Sequence, residues 1–211
     1  MLIRNIDLLL DNPLSFLFLV LLVGLSVVSA ISVHEFSHSL IAHKLGDPTS
    51  KNMGRMTLNP KAHLDPLGTI LFFIAGFGWG KPVPVDISAL NNGQKSMATV
   101  ALAGPFSNIV TAFLLGIPFK LNLLPLSTGA TNALPQWGIA DLVAITLFFM
   151  IFINMMLAIF NLIPIFPLDG SKIVAGLLPR KLSNHFLRLE PLGPVLLLGI
   201  IVLDYTTGLG L

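Results

Sequence analysis

Two histidines and a glutamate follow directly on a long apolar run, and this arrangement constrains the fold more than any other feature. Residues 14–33 carry no charged side chain, and His34, Glu35 and His38 come immediately after them. Twenty residues of α-helix cover about 30 Å, close to the hydrocarbon thickness of a bilayer. We therefore expect a first spanning helix that brings these three side chains to the membrane edge opposite the N-terminus.

The three residues form an H-E-x-x-H pattern. Residues four apart lie on one face of a helix, so that His34 and His38 can bind the same metal ion, while Glu35 is free to take a proton from water. The alternative is that these side chains only form hydrogen bonds with neighbouring polar groups. That alternative is the weaker one here, because burying ionisable groups at a membrane span is costly unless they have partners.

The composition supports a membrane setting. The chain has 211 residues, of which 54% are hydrophobic and 10% are charged, whereas soluble domains have roughly 25% charged residues. A mean hydropathy of +0.86 agrees. The formal charge of +2 gives no reason to expect nucleic-acid binding, and the absence of cysteine excludes disulfides, thiolate zinc sites and cysteine nucleophiles.

The hydrophobic pattern predicts an all-α polytopic membrane protein. We expect a single domain, residues 1–211, in which about four to five transmembrane or partly inserted helices form a compact bundle. The clear spans are 14–45, 97–117 and 140–162, and the shorter apolar runs are 66–80 and 192–203. A small strand or loop element is expected after the first span, in which residues 52–58 could supply a short strand, and residues 81–86 are expected to be extended because of their prolines.

Two basic segments predict the topology. Residues 44–61 and 172–188 are rich in lysine and arginine, which favours the cytoplasmic side for both. Two clear spans lie between them, so the segments share a side only if residues 66–80 do not cross completely. We therefore predict that residues 66–80 are re-entrant or shallow, and that the site faces the cytoplasm.

A catalytic zinc site needs a third protein ligand and an open fourth position. The candidates in this chain are His43, His63, Asp65, Asp86, Asp169 and His185. His43 would point about 140° away from His38 on the same helix. Asp169 follows a helix broken by two prolines, emerges on the side of His34, and precedes Gly170, which would permit a sharp turn. A carboxylate beside two neutral imidazoles is a known catalytic zinc set.

Several motifs in the chain, taken together, resemble those of the site-2 protease family of intramembrane metalloproteases (peptidase family M50), in its small prokaryotic branch without a PDZ domain. The motifs are H-E-F-S-H at 34–38, A-G-P-F-S-N at 103–108 and N-L-I-P-I-F-P-L-D-G at 161–170, with softer matches at 56–68 and 80–84. The resemblance covers roughly residues 30–172. It implies one zinc ion held by His34, His38 and Asp169, with Glu35 as the catalytic base.

The resemblance also implies a partner and a location. The substrate would be another membrane protein, cut within or beside a transmembrane segment, and the enzyme would lie in a prokaryotic inner membrane. Asn108 lies on the intervening span, where it could steady the substrate carbonyl or oxyanion, or could form a hydrogen bond between helices. An unwound substrate could pair with residues 81–86 or 52–58, or these residues could simply form a hairpin that closes a loop.

Two other functions would use the same residues. In a divalent metal-ion transporter, His34, Glu35, His38 and Asp169 would form a translocation site. Transporters often contain repeated halves, and no internal repeat is visible in this chain. In an inactive scaffold the fold would be kept without the chemistry, and the intact H-E-x-x-H pattern argues against that. The sequence leaves the identity of the substrate and the oligomeric state open.

Overall fold

A computed structural model describes residues 6–75, 80–125 and 138–207. Most of these residues are helical. The helices are α1 (Ile6–Asp11), α2 (Pro13–Lys44), α3 (Thr49–Asn52), α4 (Pro66–Ala75), α5 (Gln94–Lys120), α6 (Ile139–Leu162), α7 (Asp169–Leu177), α8 (Arg180–Leu187) and α9 (Gly193–Thr207), with 3₁₀ turns at Pro60–Ala62 and Glu190–Leu192.

Three of the described helices, α2, α5 and α6, are long and apolar enough to cross a membrane. Their bounds agree with the three clear spans predicted from the sequence to within a few residues. The all-α polytopic class is thereby confirmed. Helix α2 begins where the Asn12 side chain accepts a hydrogen bond from the backbone N–H of Ser15 at 3.1 Å, with Pro13 at the first helical position, where its missing N–H has no cost.

Helix α5 packs closely against the other two long helices, α2 and α6, and also contacts α7. Small residues are buried on all three, among them Ala30, Ala101 and Ala158. Small side chains allow helix backbones to approach each other, which is how helices associate in a membrane, where burial of apolar surface gives little driving force. This packing fixes α5 against the histidine-bearing end of α2.

The connection between α2 and α5 is mostly irregular. The strand predicted near residues 52–58 is not present, and the described part of this connection contains a single antiparallel bridge, between Leu64 and Gly80. The reason is local hydrogen bonding. The backbone N–H groups of Met53 and Arg55 donate to the carbonyls of Thr49 and Ser50 at 3.1 and 2.9 Å, so this part of the chain turns. The Thr57 side chain accepts from the N–H of Asn59 at 3.1 Å. Such bonds compete with strand pairing.

The described part of helix α4 is too short to cross a membrane. It contains 10 residues, which span only about 15 Å, half the hydrocarbon thickness. The bridge between Leu64 and Gly80 brings the chain back to the point where the segment began. The described parts of the segment, residues 66–75 and 80, agree with the prediction that it returns to its side of entry, while residues 76–79 lie outside the described residues. Both basic connections lie at the same end of the bundle.

The chain after α6 forms three shorter helices. The rings of Phe166 and Phe186 lie 5.1 Å apart and join the end of α6 to α8. Helix α9 contains 15 residues and spans about 22 Å, so it is shorter than the helices that can cross. This agrees with the expectation that the last apolar run need not cross completely.

Candidate metal centre

The structure brings together three side chains from distant parts of the chain. The Nε2 atoms of His34 and His38 lie 3.1 and 3.0 Å from the Oδ2 atom of Asp169. One ligand atom from each residue lies within 4.8 Å of the others, and all three residues are buried. Asp169 is 135 positions after His34, yet it reaches the histidines as the sequence predicted.

The hydrogen bond made by Nδ1 of each imidazole determines whether its Nε2 atom can bind a metal ion. Nδ1–H of His34 donates to Oδ1 of Asn108 at 2.6 Å, and Nδ1–H of His38 donates to the Val100 carbonyl at 2.7 Å. In a neutral imidazole whose Nδ1 carries the proton, Nε2 presents a lone pair. Two lone pairs and a carboxylate oxygen repel one another unless a cation lies between them. This donor set fits Zn²⁺, which binds histidine nitrogen and carboxylate oxygen.

The negative charge of Asp169 agrees with a cation-binding role for this group. Burial alone would raise the pKa of the Asp169 carboxyl, but the adjacent His38 and His34 side chains lower it well below its usual range. Lys172 adds a further positive charge, with its Nζ atom 3.6 Å from Oδ1 of Asp169. The carboxylate is therefore charged and available as a ligand.

Helix α5 approaches the two histidines at Gly104. A Cβ atom at this position would lie 2.4 Å from Nε2 of His38 and 2.6 Å from Cε1 of His34. These distances are too short for any side chain, so glycine is required where α5 crosses the site. In the sequence, Gly104 is recognisable only as part of the A-G-P-F-S-N motif. A small residue inside a membrane helix was the available signal for this close approach.

Asp169 begins α7, and Gly170 holds that helix against the end of α6. A Cβ atom at Gly170 would lie 2.3 Å from the Leu162 carbonyl oxygen and 2.4 Å from that of Ile163. The sequence predicted that Gly170 permits a sharp turn. A sharp turn is not why glycine is needed here, because Gly170 is not among the described residues with positive φ. Glycine is needed there for close packing, and the packing sets the position of Asp169.

Asn108 lies behind His34, away from Asp169, and is completely buried. Its Oδ1 atom accepts from His34, while its Nδ2 group donates to the Ala30 carbonyl at 3.1 Å and to Oδ1 of Asn154 at 2.7 Å. Both amide hydrogens are in use, so none is left for a substrate oxyanion. The contacts do not support the predicted oxyanion role. They favour the other role considered, a hydrogen bond between helices, which here also orients His34.

The other ligand candidates lie elsewhere. His63 is buried, with Nε2 donating to the Thr57 carbonyl, and Asp65 accepts from the N–H of Gly68. Asp86 bonds Ser88, His43 contacts Lys51 and His185 bonds the Lys181 carbonyl. Among the described residues, the group formed by His34, His38 and Asp169 is the one that could hold a metal ion.

A cavity of about 370 Å³ opens beside this group. Glu35 lines it together with the three candidate ligands. The cavity is also lined by Val83 and Val85, which belong to the non-helical segment 81–86, and by Asn161 at the end of α6. A carboxylate base, a metal-binding group and room for a peptide thus meet in one place.

Comparison with known proteins gives a consistent result. The model of peptidase family M50 matches residues 20–192. The chain is 36% identical to “Putative zinc metalloprotease YwhC” of Bacillus subtilis (strain 168), over 84% of this chain and 78% of that protein. It is 31% identical to “Putative zinc metalloprotease Rip2” of Mycolicibacterium smegmatis, over 75% of this chain and 58% of that protein. No solved structure gives a significant match.

Proposed function

This chain belongs to peptidase family M50, and on that premise we propose that it is an intramembrane endopeptidase that cuts other membrane proteins. Family membership makes it a zinc metalloprotease. The proposal adds the substrate class, the site residues and the orientation. We assign the metal ligands as His34, His38 and Asp169, and the catalytic base as Glu35.

The convergence of His34, His38 and Asp169 inside a bundle of apolar helices carries the proposal. Glu35 lines the same cavity. When bound there, zinc would act as a Lewis acid that lowers the pKa of water to about 7 and polarises a carbonyl group. A protease site built at the end of a spanning helix fits a substrate that is itself held in the bilayer.

The protein side chains perform the proton transfers and the positioning. The Glu35 carboxylate accepts a proton from the attacking water and delivers it to the nitrogen of the leaving amide, which balances the hydrolysis. Asn108 and the Val100 carbonyl hold the two imidazoles in fixed tautomers. Lys172 lies beside Asp169 and reduces the cost of its buried charge.

A helical substrate must unwind before it can be cut, because its carbonyl oxygens are occupied by hydrogen bonds within the helix. The segment 81–86 offers replacements for those bonds. The backbone N–H and C=O groups of Val83 and Val85 bond to none of the described residues, and both residues line the cavity. An extended peptide can pair with this free edge and place a carbonyl beside Glu35.

The orientation follows from the basic residues. All lysines and arginines except Arg4 and Lys120 lie at the end of α2, in the connections at that end of the bundle, or in the first turn of α5. Positive residues favour the cytoplasmic side of a membrane. We therefore place the cavity at the cytoplasmic edge of a prokaryotic inner membrane, where water can reach it.

The test is co-expression with a panel of single-span membrane proteins, comparing the wild type with Glu35→Gln. The wild type is expected to cut at least one member within or beside its span. Glu35→Gln is expected to retain zinc, measured on the purified protein, and to lose cleavage, since the amide cannot accept a proton. Cleavage that persisted in this variant would contradict the assigned base.

A second measurement separates the protease from a transporter. Purified protein in sealed vesicles is tested for zinc flux with a fluorescent zinc indicator inside. The proposal expects no flux above that of empty vesicles. Flux that is abolished by His38→Ala, without cleavage of any panel member by the wild type, would favour the transporter.

A further inference from the structure

Arg55 is a buried cation that touches the segment lining the cavity. It lies in the connection after α3, is only 5% exposed, and its backbone N–H donates to the Ser50 carbonyl at 2.9 Å. Its guanidinium Nη2 donates to the carbonyl oxygens of Lys81 and Pro82, the latter at 3.2 Å. Arg55 therefore fixes the beginning of segment 81–86.

Asp47 fixes the other end of the same segment. Its side chain is completely buried, and Oδ2 accepts from the N–H of Asp86 at 2.8 Å. Oδ1 accepts from the N–H of Thr49 at 2.9 Å, which ties the carboxylate to the start of α3. Two buried charges of opposite sign thus hold the two ends of segment 81–86, while Val83 between them stays free to pair.

These buried charges are expensive, because a charge removed from water is normally compensated by an opposite charge. Neither Arg55 nor Asp47 forms a direct ion pair with another described side chain, and the hydrogen bonds of both side chains go to backbone groups. The Glu35 carboxylate is close enough to attract the Arg55 guanidinium electrostatically. A hydrogen bond to a charged group is stronger than a neutral one and restricts geometry more. The arrangement fixes a short stretch of backbone that touches the cavity, and burying the two charges lowers the stability of the folded protein.

We infer that Arg55 and Asp47 are positioning residues that hold segment 81–86 in register for the substrate peptide beside Glu35. The inference rests on the proposed function, since it takes the substrate to lie along this segment. Neither residue lines the cavity, so both act through the backbone of the segment. Their loss is expected to weaken substrate binding and to leave the metal group and the chemical step intact.

The experiment measures kcat and KM with a cleaved panel substrate for the wild type, Arg55→Gln, Arg55→Lys and Asp47→Asn. Arg55→Gln and Asp47→Asn are expected to raise KM roughly tenfold with kcat within about twofold, because each loses a charge-assisted hydrogen bond. Arg55→Lys keeps a charged donor and should recover part of the loss. Zinc content should equal that of the wild type. Lys61→Gln, an exposed basic residue of the same connection, serves as the control.

A readout independent of turnover uses the absence of cysteine in this chain. Val83→Cys is introduced into Glu35→Gln, and disulfide formation with a single-cysteine substrate is measured. Cross-linking is expected, and it should fall roughly tenfold when Arg55→Gln is added, but not with Lys61→Gln. Arg55→Lys should recover part of the lost cross-linking, as it recovers part of the loss in KM, and the zinc content of Arg55→Gln shows whether that variant is folded.

The outcomes distinguish the two proposals. If the wild type cuts the substrate and Glu35→Gln does not, while Arg55→Gln leaves both KM and cross-linking unchanged, the inference is overturned and the protease stands. A fall in kcat or zinc content without a change in KM also overturns it. A wild type that cuts no panel member overturns the proposed function, and the inference with it.

Discussion

The Nδ1 atom of His34 lies 2.6 Å from the Oδ1 atom of Asn108, and this contact joins α2 to α5 at the candidate metal centre. Because the Asn108 oxygen only accepts, the proton of His34 stays on Nδ1 and its Nε2 lone pair faces Asp169. The contact therefore sets the chemical form of His34 as well as its orientation. Asn154 extends the network to α6, so all three spanning helices take part.

Asn108→Ala is expected to lower zinc affinity by 10–100-fold, the usual loss when the partner of a metal-binding histidine is removed. The measurement is competition with a chromophoric chelator on purified protein. Thr111→Val is the control, since Thr111 lies on the same helix and its hydroxyl bonds only the Ser107 carbonyl of its own helix. Equal affinities in Asn108→Ala and the wild type would show that Asn108 does not orient a ligand.

Gly104→Ala should disrupt the centre directly. The new methyl group would lie 2.4 Å from Nε2 of His38, and relief requires α5 or the imidazoles to move. We expect a loss of stability of about 1–3 kcal/mol, as in other overpacked sites, together with loss of bound zinc. Thermal unfolding and zinc content are measured on the same sample.

The matched control for this change is Gly116→Ala, on the same helix, where no atom lies within 4 Å of the new methyl group. It should keep zinc and be as stable as the wild type or slightly more stable, since alanine favours helix over glycine. If Gly104→Ala kept its zinc as Gly116→Ala does, the close approach of α5 to the histidines would be in doubt.

Gly170→Ala tests how Asp169 is placed. The methyl group would press on the carbonyl oxygens of Leu162 and Ile163, which cannot move without distorting the end of α6. The expected result is a shift of α7 that withdraws Asp169 and reduces zinc affinity at least tenfold, an effect of about 1.4 kcal/mol. Gly199→Ala in α9 has open space around it and should bind zinc normally. Unchanged affinity in Gly170→Ala would refute this packing argument.

The arrangement of the helices predicts which connections share a side of the membrane. Because the natural chain contains no cysteine, single cysteines can be labelled in intact cells without background. Lys61→Cys and Lys181→Cys should be protected from an impermeant maleimide, and Leu123→Cys should react. Labelling of Lys61→Cys and Lys181→Cys from opposite sides would mean that residues 66–80 cross the membrane completely.

The sequence alone predicted the parts of this protein that depend on local patterns. Long uncharged runs gave the three spanning helices because a bilayer requires both length and apolarity. Helical spacing predicted that His34 and His38 share one face of a helix. The two basic segments predicted that the short apolar run at 66–80 returns to the side of the membrane from which it enters. Of the strand or loop element expected after the first span, the loop forms and the short strand considered at 52–58 does not, because local hydrogen bonds turn the chain there.

Tertiary structure decided everything that depends on how the helices approach one another. The sequence showed neither that Asn108 would turn its amide to His34 rather than to a substrate, nor that Gly104 and Gly170 are needed for close packing. It also gave no sign that Arg55 and Asp47 would be buried at the two ends of one segment, since a charged residue in a loop is usually solvated. These features arise because packing distances and hydrogen-bond partners join residues far apart in the chain, which local periodicity does not record.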